Sequence, residues 1–324
     1  MKDLSGRLAV VTGGGSGMGR ELVRQLVAEG CSIATCDVSA SGLAETKRLC
    51  EQERLPQGLR ITTHIVDVAD EPQVLKFRDE VGTLHETDRI HLLFNNAGIG
   101  GGSSMFVNGR DEWERTFNIC WGGVYLNTRA FLPMLQKADK GHIVNTSSVN
   151  GFWAQIGVHI PQTAYAAAKF AVKGFSEALQ TDLRLNAPHI KCSVVMPGHI
   201  GTGIASNTGR VQAGNTESDA LTPKQIEQAR ARMKAMGIDV SAVSDAQVEE
   251  AVRERARKFL EQAPVSAAQA ATIILDGVKA ERWRILVGED ARIIDEMVRE
   301  SPEQAYDVDF FERFAARAGW KIAR

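Results

Sequence analysis

A chain of 324 residues with 44% hydrophobic and 24% charged residues, 30 Gly and 9 Pro has the composition of a globular protein, which excludes a disordered or collagen-like polymer. Its 38 basic and 40 acidic residues leave a net charge of -2, so no global field recruits nucleic acid or an anionic membrane, and a small, weakly charged ligand fits better.

From Leu8 to Val287 short β-type runs alternate with helical stretches, the pattern of parallel strands joined by crossover helices. Leu8 to Val11 is the first predicted strand, and a glycine-rich turn from Thr12 to Gly19 follows it. Met18, Leu22, Val23, Leu26 and Val27 then share one helical face, with Gly30 where a C-terminal cap belongs. Further strands are predicted at Ile33 to Cys36, Ile61 to Val66, His91 to Phe94, His142 to Asn145, Cys192 to Met196 and Arg284 to Val287. These seven suffice for a doubly wound, Rossmann-type α/β fold around a parallel sheet. The gap of about ninety residues between Met196 and Arg284 is far longer than one crossover helix needs, so an insertion is predicted there. Thr222-Pro223 reads as a helix start. Asp245 precedes Val248, Val252, Ala256, Phe259 and Leu260 at helical spacing, and Ser266 with Gln269 forms a capping-box pattern ahead of Ile273, Ile274 and Val278. A helix around Ile293 to Val298 and an aromatic tail, Tyr306, Phe310, Phe311 and Phe314, close the chain.

Five cysteines, odd in number and without CxxC spacing, imply neither a disulfide framework nor a zinc site, and seven scattered histidines imply no metal. No apolar run approaches the length of a membrane span, and the first residues lack the apolar region of a signal peptide. The expectation is a cytoplasmic protein.

The sharpest local signal is Thr12-Gly13-Gly14-Gly15-Ser16-Gly17-Met18-Gly19, between the first strand and the first helix. Glycines there allow close backbone approach, and the helix N-terminus offers free N–H groups to a pyrophosphate. The spacing is GxxxGxG with no following GK[ST], which favours a dinucleotide over ATP. Asp37 at the end of the second strand stands where an acidic residue bonds the adenosine ribose hydroxyls. It points to NAD, because a carboxylate there repels the 2′-phosphate of NADP and no Arg or Lys stands within the turn or at Val38. Tyr165 and Lys169 lie four apart in an alanine-rich, helix-forming stretch, so they share a face. A cation near a phenol favours its ionised form. The strand ending Asn145-Thr146-Ser147-Ser148 brings hydroxyls to the carboxyl edge of the sheet, where ligands of such folds bind.

With these motifs in this order, the chain resembles the short-chain dehydrogenase/reductase family over residues 1 to about 202, and more loosely over 266–288. Asn95-Asn96-Ala97-Gly98, Asn118 and Pro197-Gly198 with Thr202 add to the likeness. The resemblance implies that Tyr165 is proton donor and acceptor, that Lys169 lowers its pKa and holds the nicotinamide ribose, and that Ser148 orients the substrate oxygen. Asn118 would anchor a proton-relay water. Ser147 is the neighbouring hydroxyl; Ser148 is preferred because the catalytic serine of the family is usually the second of this pair. Cofactor contacts are implied for Gly13, Ser16, Gly17, Met18, Gly19, Asp37, Asn95, Ala97, Gly98, Tyr165, Lys169, Pro197 and Gly198. Asp67 with Val68 matches the adenine position and Ile200 with Thr202 the carboxamide segment; for Asp67 a turn or cap role stays equally open. The spacing from Ser148 to Tyr165 is longer than usual for the family, with Val158-His159-Ile160-Pro161 looking like a small insertion.

The resulting expectation is one Rossmann-type domain over residues 1–324, with a helical lid insertion at 203–265 and a C-terminal extension at 289–324. It would be an NAD-dependent alcohol dehydrogenase or ketone reductase using no metal, acting on a small-molecule alcohol or ketone. The lid should be mobile, its first part made flexible by Gly201, Gly203, Gly209, Gly214, Asn207 and Asn215. Ile226, Met233, Met236, Val248, Val252 and Phe259 should lie over a bulky, mainly apolar substrate. The resemblance implies a homodimer or homotetramer, and Ala166, Ala167, Ala168, Phe170, Ala171, Phe175 and Leu179 are compatible with it. An NAD-binding redox sensor or scaffold without turnover, and an NAD-dependent epimerase or dehydratase, are the alternatives.

Overall fold

The computed structural model describes residues 1–53, 58–101, 104–155, 161–235 and 237–320. Val158, His159, Ile160 and Met236 lie outside the described residues. Strand β1 (Leu8–Thr12) leads through helix α1 (Gly17–Ala28) to β2 (Ser32–Asp37), and α2 (Ala40–Gln52) leads to β3 (Ile61–Ile65). After α3 (Glu71–Leu84) and β4 (Leu92–Asn95), α4 (Arg110–Phe117) continues through a π-helical turn, Asn118–Gly122, into α5 (Gly123–Gln136). Strand β5 (Gly141–Thr146), α6 (Thr163–Asn186) and β6 (Ile190–Pro197) follow.

Two residues, Ile200–Gly201, form the short strand β7, which pairs with β8 (Val265–Ser266) and so clips the two ends of the insertion together. Between them lie α7 (Ile204–Gln212), α8 (Pro223–Ala235) and α9 (Asp245–Glu261). Helix α10 (Ala267–Lys279) returns the chain to β9 (Arg284–Val287), and α11 (Glu289–Glu300) and α12 (Phe310–Ala318) follow it.

The described sheet is seven-stranded and parallel in the order β3-β2-β1-β4-β5-β6-β9. Each predicted strand is present, with ends moved by a residue or two. Strand order reverses between β1 and β4, opening a crevice at their carboxyl ends. Alternation along the strands feeds two cores, as expected when helices cover both faces. Val10, Ala34, Leu93 and Ile143 pack with Phe77, Phe131 and Leu179 on one face, and Ala9, Val11, Ile33, Phe94 and Val144 pack with Leu22, Leu26, Ile274 and Leu275 on the other. A third cluster joins Val149 and Trp153 to Ile294, Phe310, Phe311 and Phe314.

Local signals account for most helix ends. The N–H of Gly30 (φ +84°) bonds to Val27 O and that of Cys31 to Leu26 O, a Schellman ending for α1. Ser266 and Gln269 form the predicted capping box. The cap of α9 is Ser244 with Gln247, one residue before the predicted start. Residues 204–212 depart further from expectation: they are helical despite Asn207 and Gly209. Tertiary bonds outweigh their weak propensity, since Asn207 Nδ2 donates to Ser16 Oγ (3.0 Å) and Thr208 Oγ1 accepts from Gly100 N (2.8 Å).

Candidate active site

The crevice begins at the glycine turn. Thr12 Oγ1 accepts from the N–H groups of Asn96 and Ala97, both at 3.0 Å, and so ties the end of β1 to the segment after β4. Gly13 has φ +70°, and a Cβ there would lie 2.8 Å from Ala97 Cα. At Gly17 (φ +52°) a Cβ would stand 3.2 Å from Thr202 Cβ, so the structure brings Thr202 to the turn. Helix α1 starts at Gly17 with no side-chain bond from its cap, Ser16, and no acidic residue in its first turn. Helices α2, α3, α9 and α10 are capped by their own side chains. The donors around Gly17, Met18 and Gly19 are thus left for an anion, which fits the pyrophosphate of a dinucleotide.

The Asp37 carboxylate accepts from Gly15 N at 2.9 Å and Ser39 N at 3.0 Å. Burial pushes its pKa above the usual carboxylate value, against the pull of those N–H groups. Arg20, just past the turn, is spent on Gly15 O and Thr46 Oγ1 (3.0 Å). Asp67 pairs with Arg115 at 2.6 Å and caps Ala69 N, so its side chain serves a turn and an ion pair. Val68 is buried against Gly123. The Asn95 amide donates to Thr128 Oγ1 (2.9 Å) and Asn145 Oδ1 (2.8 Å) inside the sheet.

Across the crevice, Ser148 starts a single 3-10 turn, Val149–Gly151, and its Oγ accepts from Asn150 N at 3.1 Å. It also shares a hydrogen bond with the Tyr165 hydroxyl. Ser147 Oγ instead donates to Lys169 O at 2.7 Å, which commits it to anchoring α6. Lys169, 3% exposed, donates from Nζ to Thr146 O at 2.8 Å, with Nζ 5.4 Å from the Tyr165 ring centroid. Burial raises the phenol pKa above its ordinary value and lowers that of the lysine. A Cβ on Gly98 would lie 3.5 Å from Lys169 Nζ, so the segment after β4 forms the wall beside the pair.

Asn118 opens the π-helical turn, Asn118–Gly122, which packs against α6 beside this cluster. Asn118 is exposed, and the residue facing Lys169 from the π-helical turn is Cys120, fully buried, with Sγ 3.1 Å from Ile99 O and in electrostatic reach of both Lys169 and Tyr165. Cys120 is a residue the sequence reading missed, since no sequence signal marks the π-helical turn that carries it. A second residue missed is Asp290. Pro197 ends β6, and Gly198 and His199 turn under α11, where Asp290 Oδ2 accepts from His199 N at 2.7 Å and a Cβ on Gly198 would meet the carboxylate at 2.4 Å. Ile200 is buried in β7. His199 also shares a 2.7 Å bond with Phe259 O of α9, and the two rings are 4.4 Å apart. Among the described residues no group of three or more side chains is arranged to hold a metal, and no helix is long and apolar enough to cross a membrane.

Residues 7–213 match the family model described as short chain dehydrogenase. SadH of Mycobacterium tuberculosis is 38% identical over 207 residues, 64% of this chain and 71% of that one. Levodione reductase of Leifsonia aquatica is 34% identical over 203 residues, 62% of this chain and 72% of that one. Among solved structures, a short chain dehydrogenase/reductase from Burkholderia phymatum in complex with NAD is similar at TM-score 0.69 and 26% identity, covering 93% of this chain and 96% of that one. A metagenomic short-chain oxidoreductase in complex with NADP aligns at TM-score 0.54 and 27% identity, covering 68% and 96%.

Proposed function

The chain belongs to the short-chain dehydrogenase/reductase family of nicotinamide-dependent oxidoreductases, and from that premise we propose that it is an NAD-dependent alcohol dehydrogenase or ketone reductase. The observation that carries this reading is the meeting of Ser148, Tyr165 and Lys169 on the crevice wall opposite the uncapped N-terminus of α1.

A bound nicotinamide dinucleotide supplies the hydride acceptor, or the donor in the reverse direction. In oxidation the Tyr165 oxygen takes the hydroxyl proton of a secondary alcohol while Ser148 holds the substrate oxygen through a hydrogen bond. Because burial opposes ionisation of the phenol, the charge of Lys169 is what makes proton uptake accessible, by favouring the phenolate. Cys120 is a further neighbour of this pair from the π-helical turn, and Asn118, at the start of that turn, would anchor a proton-relay water. Asp37, seated on Gly15 N and Ser39 N, supports NAD over NADP through contact with the adenosine ribose.

The insertion reads as a cover over a bulky, mainly apolar substrate. Its supports are Thr202 beside Gly17, Asn207 on Ser16 and Phe259 on His199. For assembly as a homodimer or homotetramer, the support is the aromatic residues at the π-helical turn and on α5 and α6: Tyr125 is exposed beside Trp121, which meets Phe175, and Phe170 of α6 is exposed as well.

The test is spectrophotometric: NADH formation over a panel of secondary alcohols, for the native chain and for Tyr165→Phe. The variant should lose at least roughly 10²-fold in turnover, the scale of general acid-base catalysis, while still binding NAD in calorimetry. Near-normal turnover in the Phe variant would refute the mechanism.

A further inference from the structure

The insertion touches the cofactor crevice at a place that the catalytic reading does not use. Helix α2 begins beside the glycine turn, close enough that a Cβ on Gly42 would lie 2.8 Å from Gly15 O. Its cap, Ser39, receives Gly42 N on its Oγ at 3.0 Å and gives its own N–H to Asp37. On this turn sits Glu217, from the segment between α7 and α8. One carboxylate oxygen accepts from Ser39 Oγ at 3.2 Å and the other from Ser41 Oγ. The same segment is held nearby by Asn207 on Ser16 and by Arg210 on Asp219.

We propose that Glu217 is a second determinant of cofactor selectivity, a carboxylate carried by the insertion onto the turn of α2 where the 2′-phosphate of NADP would have to lie. The inference rests on the reading of Asp37 as the residue that meets the adenosine ribose. With the ribose 2′-oxygen at Asp37, a phosphate on that oxygen extends toward the residues after Asp37, toward the Ser39 and Ser41 hydroxyls. Two hydroxyl donors at a helix N-terminus would welcome a phosphate. Glu217 fills those donors with a negative charge instead, and with Asp37 sets two carboxylates against a dianion. NAD, which has only a hydroxyl at that position, meets no such repulsion. Specificity of this kind comes from a repulsive element set against the wrong ligand, beyond the contacts made to the right one. Hydrogen bonds from the two serines hold the Glu217 pKa below the usual carboxylate value, so its charge persists at neutral pH. Discrimination is thereby linked to the position of the insertion: with the cover displaced, only Asp37 remains to reject NADP.

The experiment is calorimetric titration of NAD and of NADP into the native chain, Glu217→Gln and Glu217→Ala, with circular dichroism to confirm folding of these exposed-site variants. The glutamine keeps the shape and the acceptor oxygen and removes the charge. We expect NADP affinity to rise about tenfold in both variants, NAD affinity to move less than about twofold, and added salt to narrow the native difference more than that of the variants. Native protein that binds NADP as tightly as NAD would overturn the Asp37 reading and this inference with it. A clear native preference for NAD that is unchanged in both variants would overturn the role of Glu217 alone. Equal loss of affinity for both cofactors would overturn it as well, assigning Glu217 to holding the insertion in place.

Discussion

Truncating Trp153 to alanine tests whether the C-terminal helices and the Ser148 turn form one unit. Trp153 is 0% exposed; its ring centroid lies 5.6 Å from those of Phe310 and Phe314, and Nε1 donates to Ala305 O at 2.7 Å. Burial of an aromatic of this size removes roughly 200 Å² from water, about 5 kcal/mol as an upper bound. Measured losses for such truncations run at about 3 to 5 kcal/mol. The unpaired Ala305 carbonyl adds about 1 kcal/mol. A loss of about 4 to 6 kcal/mol is therefore expected in urea unfolding followed by circular dichroism. Trp153→Phe keeps a ring against Phe310 and should lose about 2 kcal/mol. Because only the turn Val149–Gly151 and its cap Phe152 separate Trp153 from Ser148, the alanine variant should also lose turnover while still folded. A stability loss below about 1 kcal/mol, with native turnover, would refute the coupling.

Ser147 and Ser148 should separate in kinetics: each alanine variant loses about 1 kcal/mol, Ser147 through the bond to Lys169 O and Ser148 through the bond from Asn150 N, but only Ser148→Ala should lose turnover by roughly 10²-fold or more, and the reverse pattern of turnover would exchange their roles. Burial lowers His142 and His85 to about 4, below the ordinary ~6.5, so stability from their neutral rings is whole above that value and falls as pH drops toward 4. For the fully buried His142 the effect reaches on the order of 3 kcal/mol, and urea midpoints that stay level from neutral pH to about pH 5 would contradict it. Burial raises Cys31 and Cys192 to about 12 and Cys50 to about 11, and all five thiols are buried; a disulfide reagent should label none in the folded chain and all five in denaturant, and labelling of the native chain would count against it.

Backbone-scale features were legible because they are local. Alternation in the strands, Gly30 after α1 and the Ser266 box each depend on neighbours a few residues apart, and each appears where the spacing places it. The site was legible as a set of segments but not in the aim of each side chain. Ser147 and Ser148 are told apart only by what α6 offers them. Cys120 was not legible because the π-helical turn that brings it to Lys169 carries no mark in the sequence. Residues 204–212 looked flexible because the bonds that make them helical come from Ser16 and Gly100, far away in sequence. Asp290 gave no signal, since its partner, the N–H of His199, is a backbone group.

Strand β9 pairs with β6 at the sheet edge, and the insertion with its helices stands between them in the chain. During synthesis at about 5–20 residues per second, that interval lasts roughly 4 to 20 seconds. Throughout it, the edge from Val194 to Pro197 has no partner, and Ile274 and Leu275 of α10 have not yet arrived to cover the adjoining face. An open apolar edge is a template for other nascent chains. The expectation is that recovery of native protein from an expressing cell depends on translation speed, temperature and chaperone supply over this interval, and that a variant no more stable at equilibrium but faster to dock β9 accumulates to higher levels.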